Sequence, residues 1–181
     1  MKNTIWIFLL IFAFSTFGFA QQGETNTAGN NEKDVILKAG TKLSARLKQT
    51  LDVEKLKSGD DFMLTLMDDV AGNGMTFSKG TELLGRVVRV QTVSADEKVS
   101  EISLSFDFLK VDDDYLRFKA GILSGTDETA AVSTGNNNPE LVYASSPVFK
   151  GATVISLNGK NIVLQEGLIF KLELDLDLKK P

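Results

Sequence analysis

Asp112, Asp113 and Asp114 place three carboxylates side by side. Gathered oxygen ligands of this kind suit Ca2+, but the spacing is not that of an EF-hand loop, and the plainer reading is a solvated hairpin turn. Asp60-Asp61 and Asp68-Asp69 raise the idea of a carboxylate dyad, in which two like charges push one pKa up. They flank the apolar run Phe62 to Met67 and read as its polar ends. Ser94 and Lys98 lie in Ser94-Ala-Asp-Glu-Lys98 without the helix that a Ser-x-x-Lys nucleophile needs, so they read as a charged loop. Gly72-Asn73-Gly74 is glycine-rich, yet no helix comes after it to present amides to a phosphate. The chain has no His and no Cys, which removes imidazole bases, thiol nucleophiles, ordinary zinc sites and disulfides. These residue types predict a protein that is not an enzyme and has no catalytic, cofactor or metal site.

The elements that would position any site begin after an export signal. Lys2 precedes an uncharged run from Ile5 to Phe14, and Gly18-Phe19-Ala20 offers small residues ahead of the polar Gln21-Gln22-Gly23-Glu24. This reads as a secretory signal peptide over residues 1–20, cleaved between Ala20 and Gln21. The run is short for a bilayer span, which takes about 20 residues, so no transmembrane segment is expected after cleavage. The compartment implied is the bacterial periplasm or the extracellular space. The signal carries the one Trp and five of the twelve Phe. With 24 acids against 20 bases and a net charge of −4, the chain lacks the basic footprint and stacking rings of a nucleic-acid binder.

Residues 21–34 contain no aliphatic side chain larger than Ala and read as a flexible tether. From Val35 the hydropathy alternates with a period of two. Ile102, Leu104, Phe106 and Phe108 form one such run; Leu116, Phe118 and Ala120 form another. Phe170, Leu172, Leu174, Leu176 and Leu178 form a third, and Leu43, Ala45 and Leu47 a fourth. Each predicts a strand with one dry and one wet face. The best helical stretch, Val53 to Lys57, is one turn at most. Gly125 to Glu140 has Val132 as its one large apolar residue and reads as a long loop, functional or disordered. Within and after it, Asp127, Asn136, Asn137, Asn138 and Tyr143 are the candidate interaction residues, with Tyr143, Pro147 and Phe149 as anchors back to the body.

Three segments repeat one pattern. Val35 to Leu47 is built around Gly40, Met75 to Val87 around Gly80, and Ile162 to Leu174 around Gly167. Each places apolar residues at odd offsets on both sides of the glycine, which predicts a short strand, a tight turn and a longer strand, with glycine supplying the positive φ. The unequal spacings exclude a solenoid. The wet face after Gly40 is basic (Lys42, Arg46, Lys48), and that after Gly167 is acidic (Glu173, Asp175, Asp177). Opposite charges across a strand pair are favourable, so residues 42–48 are expected beside 170–176, closing a barrel.

Leu37-Lys-Ala-Gly40-Thr-Lys-Leu43-Ser-Ala45-Arg-Leu47, then Ser58-Gly59-Asp60 and a strand, then Phe77-Ser-Lys-Gly80-Thr-Glu-Leu83-Leu-Gly85-Arg86 is an ordered set. It resembles the C-terminal β-barrel of the TrbI-type scaffold proteins of type IV secretion and conjugation systems, over about residues 35–118 and 161–178. Ser78-Lys79 stands where that family commonly has Pro before its glycine. The stretch of about residues 123–150 has no helical hairpin of membrane-spanning length, so a channel role does not carry over. The resemblance implies an envelope-side barrel that docks other proteins.

The expectation is an all-β chain, a single small barrel or barrel-like sandwich with Gly-turn hairpins over residues 35–181, including a mobile loop at 125–140. Its expected function is that of an exported, non-catalytic scaffold or interaction module with envelope-protein partners. The alternative is a periplasmic small-ligand or ion-binding barrel with a pocket at its mouth.

Overall fold

Period-two patterning sends successive side chains to opposite faces of a strand, and every strongly alternating segment is extended. The computed structural model describes residues 34–126, 141–148 and 151–180. The expected signal segment with Ala20 and Gln21, the candidate interaction residues Asp127, Asn136, Asn137 and Asn138, and Phe149 lie outside them.

The described residues form fifteen strands: β1 Val35–Leu37, β2 Lys42–Leu47, β3 Leu51–Asp52, β4 Asp61–Leu66, β5 Val70–Gly72, β6 Met75–Phe77, β7 Glu82–Gln91 and β8 Val99–Val111; then β9 Asp114–Arg117, β10 Ala120–Thr126, β11 Val142–Ser145, β12 Ala152–Asn158, β13 Val163–Leu164, β14 Ile169–Leu174 and β15 Leu178–Lys179. No helix is present among the described residues, and so none long and apolar enough to cross a membrane. Residues 53–55 form the single turn foreseen, with Leu56 N donating to Asp52 O at 3.0 Å.

The fold is all-β and barrel-like. One antiparallel sheet runs β10-β14-β2-β4-β7-β8-β12-β11, with β9 alongside the far end of β8. Its concave face buries Leu47, Leu64, Leu83, Ile102, Leu104 and Phe170 completely, together with an edge-to-face pair, Phe62 and Phe106, whose centroids are 5.7 Å apart. Each large apolar side chain buried in this way contributes about 1.5–3 kcal/mol. Gly85 makes room for that pair: a Cβ there would overlap the Phe62 ring and stand 2.7 Å from Ser105 O.

The expected pairing of 42–48 with 170–176 is present, with Ala45 opposite Phe170 and Leu43 opposite Leu172. Lys42 meets Glu173 at 3.7 Å. The charge argument holds for that pair alone, because Arg46 lies opposite Ile169 and Asp175 and Asp177 fall beyond the strand. The pair also stands inside the sheet, second and third from one edge, rather than at its closure; the closing strands are β10 and β11.

Gly40, Gly80 and Gly167 take φ of 82°, 89° and 92°. In each turn the residue after the glycine donates to the carbonyl three positions back, as in Thr41 N to Lys38 O at 3.1 Å. Glycine at the third position with φ near +80° defines a type II turn. These turns do not make hairpins, which corrects the expectation. The strands flanking each turn pair elsewhere: β1 with β15, β6 with β5 and β13 with β3. The longer strands β2, β7 and β14 continue into the main sheet.

Each turn instead clamps a neighbouring strand. Gly40 N donates to Leu174 O at 2.8 Å, and Leu174 N donates to Thr41 O at 3.0 Å. Gly167 and Leu168 make the same exchange with Leu47, and Gly80 and Thr81 with Leu66. A fourth copy, at Gly59 (φ 99°) and Asp60, clamps Val87. The clamps are reciprocal: the turns before β2 and β14 hold each other's strand, as do the turns before β4 and β7.

Two runs depart from strict alternation. In β8 the partners on β7 jump from Phe108 to Phe106, so Asp107 is an extra residue. Such a bulge reverses the facing of the residues after it: Leu109 is buried and Phe108, expected inside, is 36% exposed. The run from Phe170 to Leu178 breaks after Leu174, where the chain bends and Asp175 N donates to Lys119 O at 2.9 Å. Leu176, also expected inside, is 57% exposed.

Candidate functional site

Most of the carboxylates that could do chemistry serve the fold, while Asp68 lines a shallow pocket with Asp69, Lys42 and Lys171. Asp60 accepts from Lys57 N at 2.8 Å, Asp69 accepts from Lys79 N at 2.7 Å, and Asp61 pairs with Arg86 at 3.1 Å. Asp112 and Asp113 are the two residues of the β8–β9 hairpin turn, Val111 facing Asp114, and Asp112 takes φ 52°. No group of three or more potential metal ligands occurs among the described residues. Ser94 accepts from Glu97 N at 3.1 Å while Lys98 donates to Ala95 O, so the two cap a loop separately.

Two further surface features stand out. The first is the seam where the sheet nearly closes. β10 is laddered to β14 on one side, and β11 to β12, but among the described residues no backbone ladder joins β10 to β11 or β12. Side chains bridge the gap. Thr153, 2% exposed, accepts from Ile122 N through its hydroxyl at 2.8 Å. Tyr143 packs against the core, and the backbone of Gly125 hydrogen-bonds to its phenol oxygen, while burial pushes that phenol above its ordinary range. A Cβ on Gly125 would overlap the phenol oxygen. Of the candidate interaction residues, Tyr143 is thus a half-buried strap rather than a displayed contact. Beside it, Leu123 and Val142 are 48% and 54% exposed. Leu123 is the unpaired residue where the β10–β14 register slips between Ile122 and Ser124.

The second feature is a cleft of about 500 Å3 beside the bend at 175–177. Its floor is Phe118, Leu174 and Leu178, all nearly buried, and its walls are the two displaced residues Phe108 and Leu176. Lys119 on the rim is held by Asp107 at 2.6 Å. Across Lys119 and Leu176 it meets a second cleft of about 450 Å3, lined by Gly121, Gly151 and Asp175. Asp175 lies on that rim with its carboxylate 3.6–3.8 Å from where Cβ atoms on the two glycines would be. Partial loss of water pushes its carboxyl up, the charge of Glu173 adds to this, and Lys119 opposes it.

Alternation counting hides this cleft, since it assigns both walls to the core. One signal was present: Phe108-Leu109 puts two large apolar residues side by side, which a period of two does not allow without a bulge. A scan against protein-family models finds no match, and a search of curated proteins finds no relative.

Proposed function

We propose that the chain is an exported, non-catalytic interaction module of a bacterial envelope, similar in role to the secretion-scaffold barrel that its turn glycines resemble. The observation that carries the reading is the seam. β10 and β11 bring backbone edges together without a ladder, and the apolar Leu123 and Val142 stand exposed on either side. Sheet edges with exposed apolar side chains are sites where another chain adds by strand pairing. Of the acids in the candidate groups, Asp60, Asp69, Asp112 and Asp113 serve turns and Asp61 an ion pair.

The test places a photo-crosslinking amino acid at Leu123 or Val142 in the producing cell, with Met63 on β4 as the distant control. A defined set of envelope proteins joined to the first two positions and not to Met63 is the expected result. Equal labelling at all three, or none at Leu123 and Val142, overturns the reading.

A further inference from the structure

We infer that the cleft beside the 175–177 bend binds an anionic amphiphile: an alkyl chain ending in a carboxylate or a phosphate. This goes beyond the scaffold reading and stands or falls independently of it.

Three observations lead there. First, the walls are apolar side chains turned outward by local breaks in the strands, the Asp107 bulge for Phe108 and the bend for Leu176. Large apolar groups exposed around a concave apolar floor mark a binding surface more than a packing accident. Second, the cations on the rim are not equivalent. Lys119 is neutralised by Asp107 and Arg86 by Asp61. Arg117, opposite Phe108 in the β8–β9 ladder, lines the same cleft and has no carboxylate within ion-pair distance among the described residues. The remaining acid, Asp177, is held by the Ala39 amide at 2.8 Å. One guanidinium, a bidentate donor suited to carboxylate or phosphate, is thus left beside an apolar trough.

Third, three of the surrounding backbone amides are already satisfied. Phe118 N donates to Asp107 O, Asp175 N to Lys119 O and Gly40 N to Leu174 O, all at 2.8–2.9 Å. An extended peptide would find no free donor at these three amides, although among the described residues the outer edge of β9 carries no ladder. An alkyl chain needs none, and its head group needs only the charge.

The experiment is isothermal titration of the purified protein with dodecanoate below its micelle concentration, and with dodecyl phosphate, dodecanol and dodecyltrimethylammonium. The two anions are expected to bind one per chain, and the neutral and cationic chains at least about tenfold more weakly, the size of one charge-assisted hydrogen bond. Arg117→Gln should weaken both anions about tenfold with an unchanged melting temperature, and Arg117→Lys should restore part of the loss. Tighter binding of dodecyl phosphate assigns the head group to phospholipids, and tighter binding of dodecanoate to free fatty acids; either supports the site. Dodecanol binding as tightly as the anions overturns it, as does unchanged affinity in Arg117→Gln. Should that variant misfold, Leu176→Asp, changing an exposed residue, must abolish binding of the anions for the proposal to stand.

Discussion

The clamped strand pairs and the seam both hold neighbouring strands together, but by different chemistry. In β2/β14 and β4/β7, ladders are extended at the ends by glycine turns whose amide and following carbonyl bond a Leu or Val of the partner. Such bonds depend on backbone alone, and many side chains are compatible with them. At the seam, a hydroxyl and a phenol replace the ladder. Register there rests on two particular side chains, and losing Thr153 leaves the buried Ile122 amide unpaired. The barrel thus depends on backbone bonds where the turns repeat and on two side chains where they do not.

The largest change should come from Gly85→Ala in the clamped half. Its Cβ meets the Phe62 ring and the Ser105 carbonyl, and the backbone oxygen cannot rotate away. Overpacking of this kind costs about 1–3 kcal/mol, and a clash with both a buried ring and backbone falls at or above the upper end; denaturant unfolding should stay a single transition with a lowered midpoint. A midpoint equal to that of the unaltered protein would show that β7 and β8 part easily.

Thr153→Val at the seam should cost about 1–3 kcal/mol, since the buried Ile122 amide loses its acceptor. The distinguishing readout is hydrogen exchange. Amides of β10 should exchange faster while those of β2 and β4 keep their protection, because local opening does not require global unfolding. Uniform acceleration over the whole sheet would erase the distinction between the two regions.

Tyr143→Phe should cost about 1 kcal/mol or less and change how stability depends on pH. Burial raises the phenol pKa in the folded chain, so the folded state favours the protonated form. Its contribution is fully present below the ordinary phenol pKa and is lost as pH rises through the folded value. The unaltered protein should lose stability in that alkaline window relative to Tyr143→Phe, measured by urea unfolding on both sides of it. Parallel pH profiles for the two proteins would detach Tyr143 from the seam.

Lys42→Ala should have the smallest effect. The Lys42–Glu173 pair is widely exposed, at 71% and 38% of the side chains, and such pairs are worth little in water. A melting temperature within experimental error of the original is expected. A clear drop would mean that charge, rather than the turn clamps, sets the β2/β14 register.

Much of this architecture is legible in the residues. Odd-offset apolar positions around Gly40, Gly80 and Gly167 disclose the turns and the strands they launch, because positive φ and a one-sided core both leave marks on sequence. The neighbouring of 42–47 with 169–174 was also readable, though the charge pattern used for it accounts for one contact. What the turns do was not readable, since a bond from Gly40 N to Leu174 O engages backbone that any residue carries. The cleft was hidden for a related reason. Phe108 and Leu176 have core composition in alternating runs, and only a bulge and a bend, settled by distant partners such as Lys119, turn them outward.

The reciprocal clamp between β2 and β14 also sets an order of events. Ala45 and Phe170 are adjacent in the sheet but far apart along the chain, and β14 stands between β2 and β10. A nascent chain that ends before Ile169 therefore leaves one edge of β2 and one edge of β10 unsatisfied, and β14 later covers both. Closing so long a loop must precede any reward from the contacts it makes. Folding should accordingly be slow for the chain's size, and its rate should be limited by the arrival of the final strand of the sheet rather than by the local hairpins.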